Sequence, residues 1–216
     1  MTDSGRLAGS RQGVLVLGIG NVLWADEGFG VRAVEALHAA YALPDAVQLL
    51  DGGTQGLNLL EPVVSHGAVL VFDAIDFGLE PGGLRVLRDR EVPAWAGTKV
   101  SLHQQSFQEL LAVADLQGKF PPKLTLIGVQ PERLADFGGS LSDSVRARLP
   151  LVVELAALEL ATWGFAAQAR TGEAPDRLNA DALALSAYEA ERPPASEACR
   201  IGDARFLNRR RELESR

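Results

Sequence analysis

Val14-Leu15-Val16-Leu17-Gly18-Ile19-Gly20-Asn21-Val22-Leu23-Trp24-Ala25-Asp26-Glu27-Gly28-Phe29-Gly30 decides how this chain folds. Residues 14–17 are a short β-branched and leucine run bounded by glycines, which reads as a buried strand. From residue 29 the period changes: Val31, Val34, Leu37 and Tyr41 recur at helical spacing, and the pattern ends at Leu43-Pro44. A strand that passes through glycines and an acidic pair into a helix is the opening unit of an alternating α/β chain.

Outward from that stretch the alternation continues. Residues 47–50 read as a second strand closed by Asp51-Gly52-Gly53, and residues 57–64 as a helix in which Pro62 either occupies the first turn or breaks it. Residues 68–72 form a third strand ending at Asp73. Residues 83–87 alternate apolar and polar positions, as an exposed edge strand does. Residues 104–116 read as a helix, 124–129 as another buried strand, and 142–163 as a last helix with Pro150 as a kink or a restart. Strands alternating with helices predict a mostly parallel sheet covered on both faces, in one domain over residues 12–164. Residues 165–216 change character, with Arg192-Pro193-Pro194, Arg209-Arg210-Arg211 and few aromatics. Residues 179–191 carry a weak amphipathic pattern through Leu183, Leu185 and Tyr188, and the whole stretch is expected to be a mobile polar tail.

Composition excludes several classes. Nine arginines balance nine acids after Gly164, so the first 164 residues carry the entire net charge of −7. So acidic a body argues against nucleic acid and favours metal ions or a basic protein segment. No apolar run is long enough to span a bilayer, and the polar N-terminus carries no apolar targeting segment. The lone Cys199 cannot form an internal disulfide, which fits a reducing cytoplasm.

In open parallel sheets ligands bind beyond the carboxyl ends of the strands. That rule brings residues 21–27, Asp51, Asp73 and Asp76 to one rim. Ser101-x-x-Gln104 matches a capping box, which puts His103 at the second position of a helix, where the positive helix end favours a neutral imidazole. Glu27, Asp73 and His103 together make an oxygen/nitrogen set suited to a borderline divalent metal such as nickel or zinc. Bland readings stand beside this one. Glu27 can be a first-turn acid, Asp73 a structural hydrogen-bond acceptor, and Asp51 the anchor of a glycine turn. Gly18-x-Gly20 with Asp51 also opens a dinucleotide fingerprint, but Leu23 stands at the third glycine position and Asp26 and Glu27 would face a pyrophosphate. His38 and His66 read as surface or packing residues. There is no Gly-x-Ser-x-Gly elbow and no His-Glu-x-x-His pair.

The stretch 18–30, followed by Asp51-Gly52-Gly53-Thr54, Asp73-Ala74, Ser101-Leu102-His103-Gln104 and residues 123–132, resembles the hydrogenase maturation endopeptidases over about residues 13–164. Leu102 stands where that family often has proline. The resemblance implies a three-layer α/β sandwich with a twisted, mostly parallel five-stranded sheet. It implies an endopeptidase that removes the C-terminal peptide of the nickel–iron hydrogenase large-subunit precursor after nickel insertion. Glu27, Asp73 and His103 would then contact the metal, with Glu27 or Asp73 doing the acid–base work. Nickel would arrive with the substrate, and zinc or cadmium would replace it in vitro. The expected protein is a cytoplasmic monomer without nucleic-acid or membrane partners. Two alternatives remain at this point: a non-catalytic chaperone of the metallated subunit, and a nucleotide-binding oxidoreductase.

Overall fold

A computed structural model describes residues 11–94, 102–134, 136–172 and 175–191. In chain order the elements are β1 (Val14–Ile19), α1 (Phe29–Ala40), β2 (Tyr41–Ala42), β3 (Val47–Gly53), α2 (Leu60–Ser65), β4 (Ala68–Ala74), β5 (Leu84–Arg88), α3 (Glu91–Ala94), α4 (Leu102–Leu116), β6 (Lys123–Val129), α5 (Asp143–Arg146), α6 (Leu149–Thr162), β7 (Gln168–Ala169) and α7 (Leu185–Glu191). The five-stranded sheet runs β3-β1-β4-β6-β5, and only β5, at one edge, is antiparallel. This is the expected α/β sandwich. β1 and β4 are buried throughout, which is why they read as unbroken apolar runs.

Alternation along the strands sorts the side chains into two cores. Val14, Val16, Leu70 and Phe72 face the layer of α1, α5 and α6. Leu15, Leu17, Ile19, Val69 and Val71 face the layer of α2, α3 and α4. α1 lies unusually close to the sheet: a Cβ on Gly30 would stand 2.3 Å from the Phe72 carbonyl oxygen, and one on Gly18 2.4 Å from that of Gly30. Glycine at both positions lets the helix touch the strands backbone to backbone.

Both prolines settle where their missing N–H does no harm. Pro62 lies in the first turn of α2, after a 3-10 turn over Gly56–Leu59, and Pro150 opens α6 as a restart after the short α5. α6 is tied to the far edge of the sheet by Glu159, which accepts two hydrogen bonds from the Arg88 guanidinium, at 2.9 and 3.2 Å, and one from the Thr125 hydroxyl at 2.7 Å. Burial alone would raise the Glu159 carboxyl. The Arg88 and Thr125 hydrogen bonds and the Arg88 charge outweigh it and hold the group below its ordinary value of 4.5. A carboxylate with a depressed folded-state pKa stabilises above the ordinary value, and loses that effect as pH falls through the folded one. Glu159→Gln is therefore expected to cost about 1–2 kcal/mol in urea unfolding near neutral pH, the half-exposed Arg88 keeping the figure modest. The same comparison below the ordinary glutamate range should show the gap closing; a loss independent of pH would refute the charge assignment.

The expected tail is not free up to residue 191. β7 pairs antiparallel with β2. Arg170 N–H donates to the Ala40 carbonyl, and the Asp176 carbonyl meets the His38 ring nitrogen at 2.8 Å. Residues 165–172 and 175–191 form a strap laid along α1, held by Phe165 and Leu178 against the core and by polar contacts that no local periodicity announces. Residues 192–216, including Cys199, lie outside the described residues, as does Trp95. Among the described residues no helix is long and apolar enough to cross a membrane.

Candidate active site

Three strand ends and the loop after β1 build one rim. Register pairs Gly18 with Asp51 on one side and with Phe72 on the other, and Asp73 with Gly128 of β6. The residues that end β3 and β4 are thereby set level with the turn at Gly20. Parity then separates their side chains. Asp73 follows Val69 and Val71 and faces α4, whereas Asp51 follows Val47 and Leu49 and faces α1.

Glu27 reaches the rim by a tight return of the chain. After Gly20 the backbone rises through residues 21–24 and folds into a 3-10 turn over Ala25–Gly28, from which α1 starts directly. Asn21 N–H donates to the Glu27 carbonyl at 3.1 Å, and a Cβ on Gly20, at φ +139°, would stand 1.8 Å from that oxygen. The glycine pair of the apparent nucleotide fingerprint thus serves close chain approach, and the Glu27 backbone fills the space above it. The Glu27 side chain is half-buried.

Asp73 is 2% exposed and borders a crevice of about 20 Å³ with Ile75, Phe107, Gln108 and Leu111. Phe107 and Leu111 belong to α4. Position 103 stands in the first turn of that helix, four residues before Phe107 and hence on the same helix face. The His103 side chain and the Ser101 cap lie outside the described residues. Among the described residues no three His, Cys, Asp or Glu side chains gather as a metal cage; of the ligand set named from the sequence, Glu27 lies in the turn after β1 and Asp73 near the end of β4. A cavity of about 410 Å³ lined by Arg11, Gly13, Lys123 and Trp163 opens at the opposite, amino-terminal ends of the strands.

Asp51 anchors its turn as expected, its Oδ1 accepting the Gly53 N–H at 2.9 Å. Its Oδ2 accepts from the Asn179 side chain at 3.0 Å. Burial raises the Asp51 carboxyl above its ordinary value, with Glu35 adding to the rise and Gly53, Asn179 and Arg32 opposing it. Asp76, the last rim acid, accepts from Gly78 N–H and from the Gln130 amide, both at 3.1 Å.

Sequence reasoning missed Asp26. It is fully buried and accepts four hydrogen bonds, from the main chain of Glu132, Arg133 and Ser142 and from the Ser142 hydroxyl, all between 2.7 and 2.9 Å. Its own N–H donates to the Arg133 carbonyl. This carboxylate clamps the Glu27 loop to the loop after β6, a contact strengthened by the edge-to-face pair of Trp24 and Phe137. Two adjacent acids, Asp26 and Glu27, thus divide their work, one inward and structural, the other at the rim. The only local hint is Ser142, which starts α5 yet makes no side-chain cap there.

A profile of the hydrogenase maturation protease family matches residues 31–159, a span that holds Asp73 and position 103 and begins just past Glu27. The hydrogenase expression/formation protein HoxM of Azotobacter vinelandii is 53% identical over 195 residues, 90% of this chain and 94% of its own. The hydrogenase 2 maturation protease of Escherichia coli is 45% identical over 148 residues, 67% of this chain and 90% of its own. Among solved structures, the hydrogenase maturating endopeptidase HybD from E. coli superposes with a TM-score of 0.70 at 42% identity, covering 73% of this chain and 98% of its own. The sandwich is therefore shared with the E. coli structure.

Proposed function

The chain belongs to the hydrogenase maturation protease family, and from that premise we propose that it removes the C-terminal peptide of a nickel–iron hydrogenase large-subunit precursor once nickel has been inserted. What supports this reading is that Asp73 lies near the carboxyl end of β4, bordering a crevice lined by α4, and that Glu27 lies in the turn after the carboxyl end of β1. Two carboxylates and an imidazole complement a divalent ion presented by the precursor, and zinc or cadmium would fill the same role in vitro. The −7 net charge favours such a cation-bearing partner.

The chemistry follows from the same groups. A carboxylate at the rim orients or deprotonates the water that attacks the scissile carbonyl, and the nickel held by the substrate completes the binding geometry only when it is present. Glu27 and Asp73 share these tasks, in a cytoplasmic enzyme acting as a monomer. The test supplies purified precursor with and without nickel and follows loss of the peptide by mass. Shortened product is expected from the nickel form alone; equal cleavage of both forms would falsify the requirement for metal, and absence of any shortened product would leave a binding role in place of catalysis.

A further inference from the structure

The strap attaches on both sides of the Glu27 loop. At one attachment the Asn179 amide donates to Asp51 Oδ2 and to Glu35 Oε1, each at 3.0 Å. Asp51 in turn holds Gly53 N–H, and the Gly53 carbonyl accepts Gly20 N–H at 3.0 Å, at the turn that returns against the Glu27 backbone. At the other, Glu189 pairs with Arg146 and accepts the Ser140 hydroxyl at 2.5 Å. Two residues on, Ser142 holds Asp26 through both its N–H and its hydroxyl. Between the two attachments Arg32, 3% exposed on α1, donates to the Leu183 carbonyl at 2.5 Å and to Glu35 at 2.8 Å, which seats the strap on the helix.

We propose that residues 175–191 are a built-in brace for the active rim, in which Asn179 and Glu189 are positioning residues that fix the Glu27 loop from its two flanks. The brace lies outside the five-stranded sheet and packs on α1.

The chemistry of Asn179 separates bracing from mere packing. Its amide is a donor to two carboxylates at once. An aspartate of the same shape would replace that donor by a third negative charge facing Asp51 and Glu35, with Arg32 of α1 opposing it and Arg177 and His38 lining the same cavity as Asn179. A residue that only fills space would tolerate the aspartate at least as well as alanine. A bracing donor makes aspartate the worse substitution.

The kinetic half of the test rests on the processing activity proposed above; the spectroscopic half does not. Full-length wild type, Asn179→Ala, Asn179→Asp and Glu189→Ala are compared. Carbon NMR of the Asp51 carboxyl should show its titration midpoint moving up in Asn179→Ala and further in Asn179→Asp. In precursor processing, kcat should fall about tenfold in Asn179→Ala and Glu189→Ala at nearly constant KM, and further in Asn179→Asp. An unmoved Asp51 midpoint in both Asn179 variants, or wild-type kcat in Asn179→Asp and Glu189→Ala, overturns the brace. If the wild type itself cuts no precursor, the processing reading fails and the Asp51 titration alone decides the brace.

Discussion

Asp73→Asn should lower precursor processing at least about a hundredfold while leaving the fold in place. The amide keeps the volume of a side chain that is 2% exposed, and β4 is held by main-chain pairing to β1 and β6 on either side. What disappears is the negative charge at the rim. An amide is a weaker ligand for a divalent ion and cannot take a proton from water, so a loss of about 3 kcal/mol in transition-state stabilisation is the minimum expected of a residue in that role. Peptide release followed by mass under single-turnover conditions measures it, with thermal unfolding as the control. Wild-type turnover by the variant would remove Asp73 from the chemistry, and Glu27 would then have to carry it without a second carboxylate.

Asp26→Ala is the change with the largest expected effect on stability. It strips the acceptor from Glu132 N–H and Arg133 N–H, which are part-buried, and from the Ser142 N–H and hydroxyl, which are buried. Unsatisfied buried donors cost roughly 1–3 kcal/mol each, and partial relaxation of the two loops brings the expected total to about 3–5 kcal/mol. For a domain of this size that is a fall of roughly 10 °C in Tm. Urea unfolding of wild type and variant checks it; a loss below about 1 kcal/mol would show that the loop after β6 finds other partners. Glu27→Gln, one position away on the half-exposed rim, should leave the unfolding midpoint almost unchanged. The contrast would establish that the neighbouring acids are not interchangeable.

The sheet was legible because parallel strands buried on both faces leave continuous apolar runs. Residues 14–17, 68–72 and 124–129 could hardly be anything else, and the parity that sends Asp73 towards α4 and Asp51 towards α1 is already present in Val69-Val71-Asp73 and Val47-Leu49-Asp51. The restart at Pro150 was one of two options that the sequence left open. β2 and β7 were beyond reach, since two residues carry no period. The strap was hidden for a different reason. Its anchors, Asn179, Arg170 and Glu189, are polar residues whose partners lie more than 40 positions away, and a composition rich in alanine and arginine reads locally as solvated chain. Asp26 was obscured by Glu27: a pair of adjacent acids after a glycine turn announces a loop of interest without saying which member points inward. Position 103 falls in the first turn of α4, while the Ser101 cap expected from the sequence lies outside the described residues.

The Asp26 clamp spans a sequence separation of 106 to 116 residues. The Glu27 loop is thus made early during synthesis yet cannot set until residue 142 has left the ribosome, because a shorter nascent chain lacks the amides that donate to the Asp26 carboxylate. A chain that stops short of residue 142 therefore lacks the contacts that fix the Glu27 loop, however complete the strands before it.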